Sequence, residues 1–180
     1  MTYRLAQDDT GFPVLWTERL CLRLPQARDF DAYADYYAED RSRFTGGPLD
    51  RPTAWRAYAA QIGHWHLRGY GLWTLTERDA DTPIGHVGFW NPEGWPEREI
   101  GWVLYPGHEG RGLACEAAMA ARDYAYRTLG WGALISVIAP GNDRSIALAR
   151  RMGAGFEREW LSPSGKPALI FRHPAPEVCA

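Results

Sequence analysis

Between Glu99 and Ala114 the chain runs from an alternating apolar stretch, through three glycines in six residues, straight into a helical repeat. Gly107, Gly110 and Gly112 permit a sharp reversal, and no proline between 107 and 114 removes a backbone N–H. A strand, a glycine turn and a helix in that order leave the N–H groups of the first helical turn unpaired. The positive end of the helix dipole points at the same place. Such a corner suits an anion, a pyrophosphate above all, with Arg111 adding a cation. A tight turn needing glycine only for positive φ accounts for the same residues equally well. The Gly-Lys-Ser/Thr ending of a Walker loop is absent. The G-x-x-G-x-G spacing, after strands that look antiparallel, also departs from the dinucleotide fingerprint.

The pattern around this corner predicts a single domain. Leu20, Leu22 and Leu24 alternate as a half-buried strand. Phe30, Tyr33, Ala34 and Tyr37 follow Asp29 at helical spacing. After the Gly46–Pro48 break, Trp55, Tyr58, Ala59, Ile62 and Trp65 form one face of a second helix. Strands at 71–77, 84–90 and 98–105, joined by short turns, read as an antiparallel meander. Residues 112–129 form the clearest helix, with Leu113, Ala117, Ala121, Tyr124 and Ala125 on one face. A central strand at 134–138, a helix from Asn142 to Met152, and strands at 156–161 and 168–172 complete the chain. The order β-α-α-β-β-β-α-β-α-β-β predicts a mixed α/β fold, a largely antiparallel sheet with flanking helices. Its expected limits are a polar arm over 1–16, one domain over 17–173 and a tail over 174–180.

Composition removes several function classes. Lys and Arg total 20 against 22 Asp and Glu, so no basic field exists to hold a nucleic acid. No stretch approaches the length of a membrane span and no apolar leader opens the chain, so no membrane role is expected. Cys21, Cys115 and Cys179 are scattered without a CxxC pair, which argues against disulfides and zinc and for a reducing, cytoplasmic setting. His64 and His66 do not face each other on a helix, so no metal is expected. The sequence is compatible with a homodimer but does not require one.

The run Glu109-Gly110-Arg111-Gly112-Leu113-Ala114 resembles the Q/R-x-x-G-x-G/A signature of the GCN5-related N-acetyltransferases (GNAT). Glu99-Ile100-Gly101-Trp102 with Gly110–Ala117 looks like the branch containing the ribosomal-protein N-terminal acetyltransferases. So do Asn142-Asp143-Arg144-Ser145 with Arg151–Phe156, and the opening Thr17-Glu18-Arg19-Leu20-x-Leu22-Arg23. The resemblance spans residues 17–173. It implies direct acetyl transfer from acetyl-CoA, as cosubstrate, to a primary amine of a peptide N-terminus or small molecule. It places the cofactor against Glu109, Gly110, Arg111, Gly112, Leu113 and Ala114. Asn142 and Ser145 are implied pantetheine contacts, with Val103 and Leu104 offering backbone groups. Two positions depart from the pattern: Glu109 stands where Gln or Arg is usual, and Ala149 where many relatives carry a tyrosine acid. They leave a second reading open, an acyl-CoA-binding sensor or scaffold without turnover.

Amide formation needs a neutral amine, and amines with pKa values of about 7.7–8.0 or 10.4 are mostly protonated at neutral pH. A general base is required. Glu99, on the strand face opposite Ile100, Trp102 and Leu104, is the first candidate. A carboxylate merely hydrogen-bonded within the sheet is the equal alternative. His86 has a suitable intrinsic pKa but also reads as a packed sheet histidine. Glu93 and Glu97 read as solvated loop residues. The departing thiol, of pKa roughly 8.5, needs only modest help, which the Ser145 hydroxyl can give. Cys115 lacks an adjacent histidine base, which argues against a covalent route. Trp90 and Trp95 are candidate walls of an acceptor cleft.

Overall fold

The computed structural model describes residues 3–176. Cys179 and the last residues of the expected tail lie outside them. The strands are β1 (Arg4–Gln7), β2 (Pro13–Trp16), β3 (Leu20–Arg23), β4 (Leu72–Glu77), β5 (Pro83–Trp90), β6 (Glu99–Leu104), β7 (Ile135–Ile138), β8 (Gly155–Leu161) and β9 (Pro167–Arg172). The helices are α1 (Phe30–Ala38), α2 (Arg51–Arg68), α3 (Leu113–Arg127) and α4 (Asp143–Arg151), with a 3-10 turn at Asp40–Phe44. The nine strands form one sheet in the order β1-β2-β3-β4-β5-β6-β7-β9-β8. Every pairing is antiparallel except β6 with β7. β1 and β8 are therefore the outer strands.

Residues 4–16, expected as an arm, instead pair as β1 and β2 onto the sheet. The turn between them hides in the polar run that suggested an arm. Asp8 accepts from the Thr10 and Phe12 N–H groups at 2.9 and 3.0 Å, and Gly11 supplies a positive φ. Leu15 is fully buried, and Tyr3 reaches Thr128 through its hydroxyl at 2.9 Å.

Helices cover both faces. Leu113, Ala117, Ala121, Tyr124 and Ala125 of α3 are all buried, in a cluster with Leu22, Val87, Phe89 and Ile100. Each large apolar side chain fully buried there contributes about 1.5–3 kcal/mol. On the opposite face Phe30, Tyr33 and Tyr37 of α1 and Ala54 and Tyr58 of α2 pack with Val103 and Tyr105. Asp50 caps α2 by accepting from the Thr53 N–H at 2.8 Å. Trp55 breaks the expected α2 face: it is 52% exposed, resting edge-on against Phe30. Ala59 of the same expected face is exposed as well, whereas Tyr58 and Trp65 are buried.

Candidate active site

The site begins where β6 and β7 part. Their ladder holds one register pair, Glu99 opposite Ile135, closed by the Ile135 N–H donating to the Arg98 carbonyl at 3.2 Å. A regular parallel ladder would continue with the Val137 N–H donating to the Ile100 carbonyl. Instead the Val137 N–H donates to Glu99 Oε1 at 3.4 Å, and the Ile100 carbonyl accepts from Ser136 Oγ at 2.7 Å. Two side chains thus satisfy the backbone groups of the missing rung, and the strands are free to splay.

Trp95 Nε1 donates to Glu99 Oε2 at 2.8 Å. Burial pushes the Glu99 carboxyl up to about 7, against the downward pull of Trp95 and the Val137 N–H. Glu99 is therefore a buried carboxylate, hydrogen-bonded through both oxygens, whose pKa is raised towards neutrality.

Beyond the split lies a cleft of about 1080 Å³. Val103 and Leu104 line it from β6, Glu109, Gly110, Gly112, Leu113 and Ala114 from the glycine turn and the start of α3, and Asn142 and Ser145 from the start of α4. Gly107, Gly110 and Gly112 have φ of +86°, +76° and +78°, the left-handed region that glycine alone enters cheaply. The Gly112 carbonyl accepts from the Glu116 N–H at 3.1 Å, the first bond of α3. The N–H groups of residues 113–115 precede it and are the donors left without an intrahelical partner at the positive end of the helix. The Glu116 carboxylate braces this corner from behind, taking Thr17 Oγ1 at 2.6 Å and Arg19 Nε at 2.7 Å, while Arg19 Nη1 donates to the Arg111 carbonyl at 2.9 Å.

Arg111 itself turns away. Flanked by two left-handed glycines, its guanidinium pairs with Glu77 at 2.7 Å and is not part of the cleft lining. The cleft's cations are instead Arg41, Arg43, Arg144 and Arg151. Sequence reasoning passed over Arg41 and Arg43, although the D-R-S-R-F run concentrates charge at the end of α1. Glu109 is folded back onto the turn. It accepts from the Gly107 N–H at 3.0 Å and pairs with Arg41 at 3.1 Å, so its charge is compensated.

Asn142 Oδ1 accepts from the Ser145 N–H at 3.3 Å and caps α4. Ala149 is fully buried with Ile138, Ala154 and Phe171, so its position faces the core and offers no acid. His86 is buried beside Tyr33 and Tyr37, stacked on Tyr37 with ring centres 6.2 Å apart. Burial pushes its pKa down to about 4, which fits a packing histidine. Glu97 is held by Arg172 at 2.7 and 2.9 Å, which lowers its pKa, and Glu93 is exposed. Cys115 lines the cleft. Trp95 stands at Glu99 and meets Trp160 edge-on at 5.2 Å, whereas Trp90 stacks on His64 at 4.7 Å. His64 contacts the Tyr70 carbonyl through Nδ1 at 2.7 Å and accepts the Asn91 N–H at Nε2 at 3.1 Å, so both ring nitrogens are engaged. Among the described residues no group of three or more His, Cys, Asp and Glu could hold a metal ion.

Residues 19–155 match the family model described as "Acetyltransferase (GNAT) domain". The uncharacterized N-acetyltransferase YnaD of Bacillus subtilis is 34% identical over 76 residues, 42% of this chain and 45% of that protein, so this match spans under half of the relative. The ribosomal protein uS5-alanine N-acetyltransferase of Escherichia coli is 32% identical over 84% of each chain. A crystal structure of an acetyltransferase from Agrobacterium tumefaciens is 39% identical and superposes with a TM-score of 0.84, covering 90% of this chain and 94% of that one. With a split sheet, a glycine turn at a helix start and these relatives, the chain belongs to the GNAT family and is an N-acetyltransferase, an enzyme of acetyl transfer to an amine.

Proposed function

We propose that the enzyme carries acetyl directly from acetyl-CoA to the primary amine of a peptide N-terminus or a small molecule, in the cytoplasm. The observation that supports this reading is the β6–β7 split, where Glu99 fills the missing rung and residues 102–104 of the same strand go on to line the cleft. The N–H groups at the start of α3 and the cleft arginines, of which Arg41 also pairs with Glu109 and Arg43 with Asp40, suit a diphosphate. The open edges of β6 beyond residue 100 suit the amide-bearing pantetheine arm. Glu99 takes the proton of the acceptor ammonium, and its pKa near neutrality makes it a competent base. Ser145 hydrogen-bonds the departing sulfur. The uS5-alanine relative supports a peptide N-terminus as the acceptor class, and the free thiols of Cys21 and Cys115 support a reducing compartment.

Incubation with acetyl-CoA and a panel of N-terminal peptides and small amines, followed by release of free thiol, tests the reading. Amine-dependent thiol release is the expected result. Saturating acetyl-CoA should also raise the melting temperature, as a ligand of the native state must, and an unmoved transition would contradict the cleft assignment.

Ser145→Ala should lower kcat about tenfold or less, because a thiolate is already a fair leaving group, with little change in the KM for acetyl-CoA. A rise in KM alone would make Ser145 a binding contact instead.

A further inference from the structure

We infer that Ser136 and His173 are positioning residues that hold β6 and β7 apart and so keep the Val137 N–H directed at Glu99. The inference rests on the reading of Glu99 as the base and adds the device that sets it.

The geometry is a short relay. Ser136 Oγ spends its proton on the Ile100 carbonyl at 2.7 Å. His173 Nε2 lies 2.9 Å from the same oxygen and must therefore carry the ring N–H and donate it. His173 Nδ1 then accepts from Arg122 Nη1 at 3.4 Å, and Arg122 also donates to the Met152 carbonyl. Burial, reinforced by Arg122, lowers the His173 pKa to about 4, so the ring stays neutral and the relay keeps one direction. Ser136 and His173 are 2% and 1% exposed, so the relay sits away from bulk solvent.

The relay occupies the carbonyl that the Val137 N–H would otherwise take. Removing the Ser136 hydroxyl leaves both the Ile100 carbonyl and the His173 Nε2–H buried without their partner, a state costly enough to recruit a replacement donor to the carbonyl. The donor that a regular parallel ladder supplies to that carbonyl is the Val137 N–H, one rung from the existing pair. The strands would zip by one bond and Glu99 would lose a donor to its charged form. Its pKa would then rise further. The other groups around Glu99 do not offset this. Trp95 already donates to Oε2, and Arg172 on β9 and Arg158 on β8 face Glu97 and Glu157.

The test is one NMR titration with a matching pH–rate profile on wild type, S136A, S136T and E99Q. In wild type the Val137 amide shift should follow Glu99, with a midpoint near pH 7; a flat response overturns the inference even if no variant folds. In S136A that response should vanish and Val137 amide exchange should slow, whereas a merely loosened strand would exchange faster. kcat/KM at pH 7 should fall about three- to tenfold, with recovery at alkaline pH. S136T, which keeps the hydroxyl, should restore both readouts. A folded S136A with the wild-type titration and profile refutes the proposal. E99Q separates the two ideas: wild-type activity in E99Q would sink Glu99 as base while leaving the Val137 titration of the wild type to decide the relay.

Discussion

Glu99→Gln is expected to cut kcat/KM for the amine at pH 7 by about 100-fold or more, the usual scale for loss of a general base. In wild type the acidic limb should fall away below pH 7, as the carboxyl takes up its proton. In the variant that limb should disappear, leaving a slow rate that climbs at alkaline pH as the amine deprotonates itself. Stability should move the other way. Glu99 titrates near 7 when folded, against an ordinary value of 4.5, so the folded state holds its proton more tightly. The stability this confers is fully present below pH 4.5 and is lost as pH rises through 7. The glutamine variant should thus melt higher than wild type at pH 8 and gain nothing at pH 4. A variant with the wild-type rate profile would remove Glu99 from the chemistry.

Gly112→Val should raise the dissociation constant for acetyl-CoA at least about tenfold. The residue sits at φ +78° directly before α3, where its missing side chain leaves the backbone open to a ligand. A branched side chain is strained there, a cost of about 1–2 kcal/mol or more. The nearest atom to an added Cβ is Arg19 Nη2 at 3.7 Å, so the turn itself has room and the protein should stay folded with a lower melting temperature. Calorimetry with acetyl-CoA checks it; an unchanged affinity in a folded variant would make the turn purely structural.

Most of this architecture could be read from periodicity. The α3 face from Leu113 to Ala125 and the Asn142 cap of α4 are local patterns, and local patterns survive into the fold. What escaped depends on directions and partners distant in sequence. Arg111 lies in the glycine turn, yet its side chain pairs with Glu77, 34 residues earlier, and not with the cleft. The cations that do line the cleft include Arg41 and Arg43, nearly 70 residues earlier. The β1–β2 hairpin was masked by the polar turn at Asp8–Gly11, where the carboxylate organises backbone rather than marking an unstructured arm. Ser136 sits inside an apolar run, and its role depends on a parallel register that no single-strand pattern encodes.

The outer position of β8 bears on how the protein behaves in concentrated solution. A strand at the end of a sheet offers a row of unsatisfied backbone groups to any passing chain. Here Phe156 and Leu161 are 56% and 67% exposed, enough to make such contacts adhesive. Between them lie Glu157, Arg158 and Glu159, all exposed. Another copy of β8 aligned alongside in register would bring like charges into apposition, and any alignment would have to desolvate charged side chains, the usual means by which an edge strand is kept from pairing with its own copies.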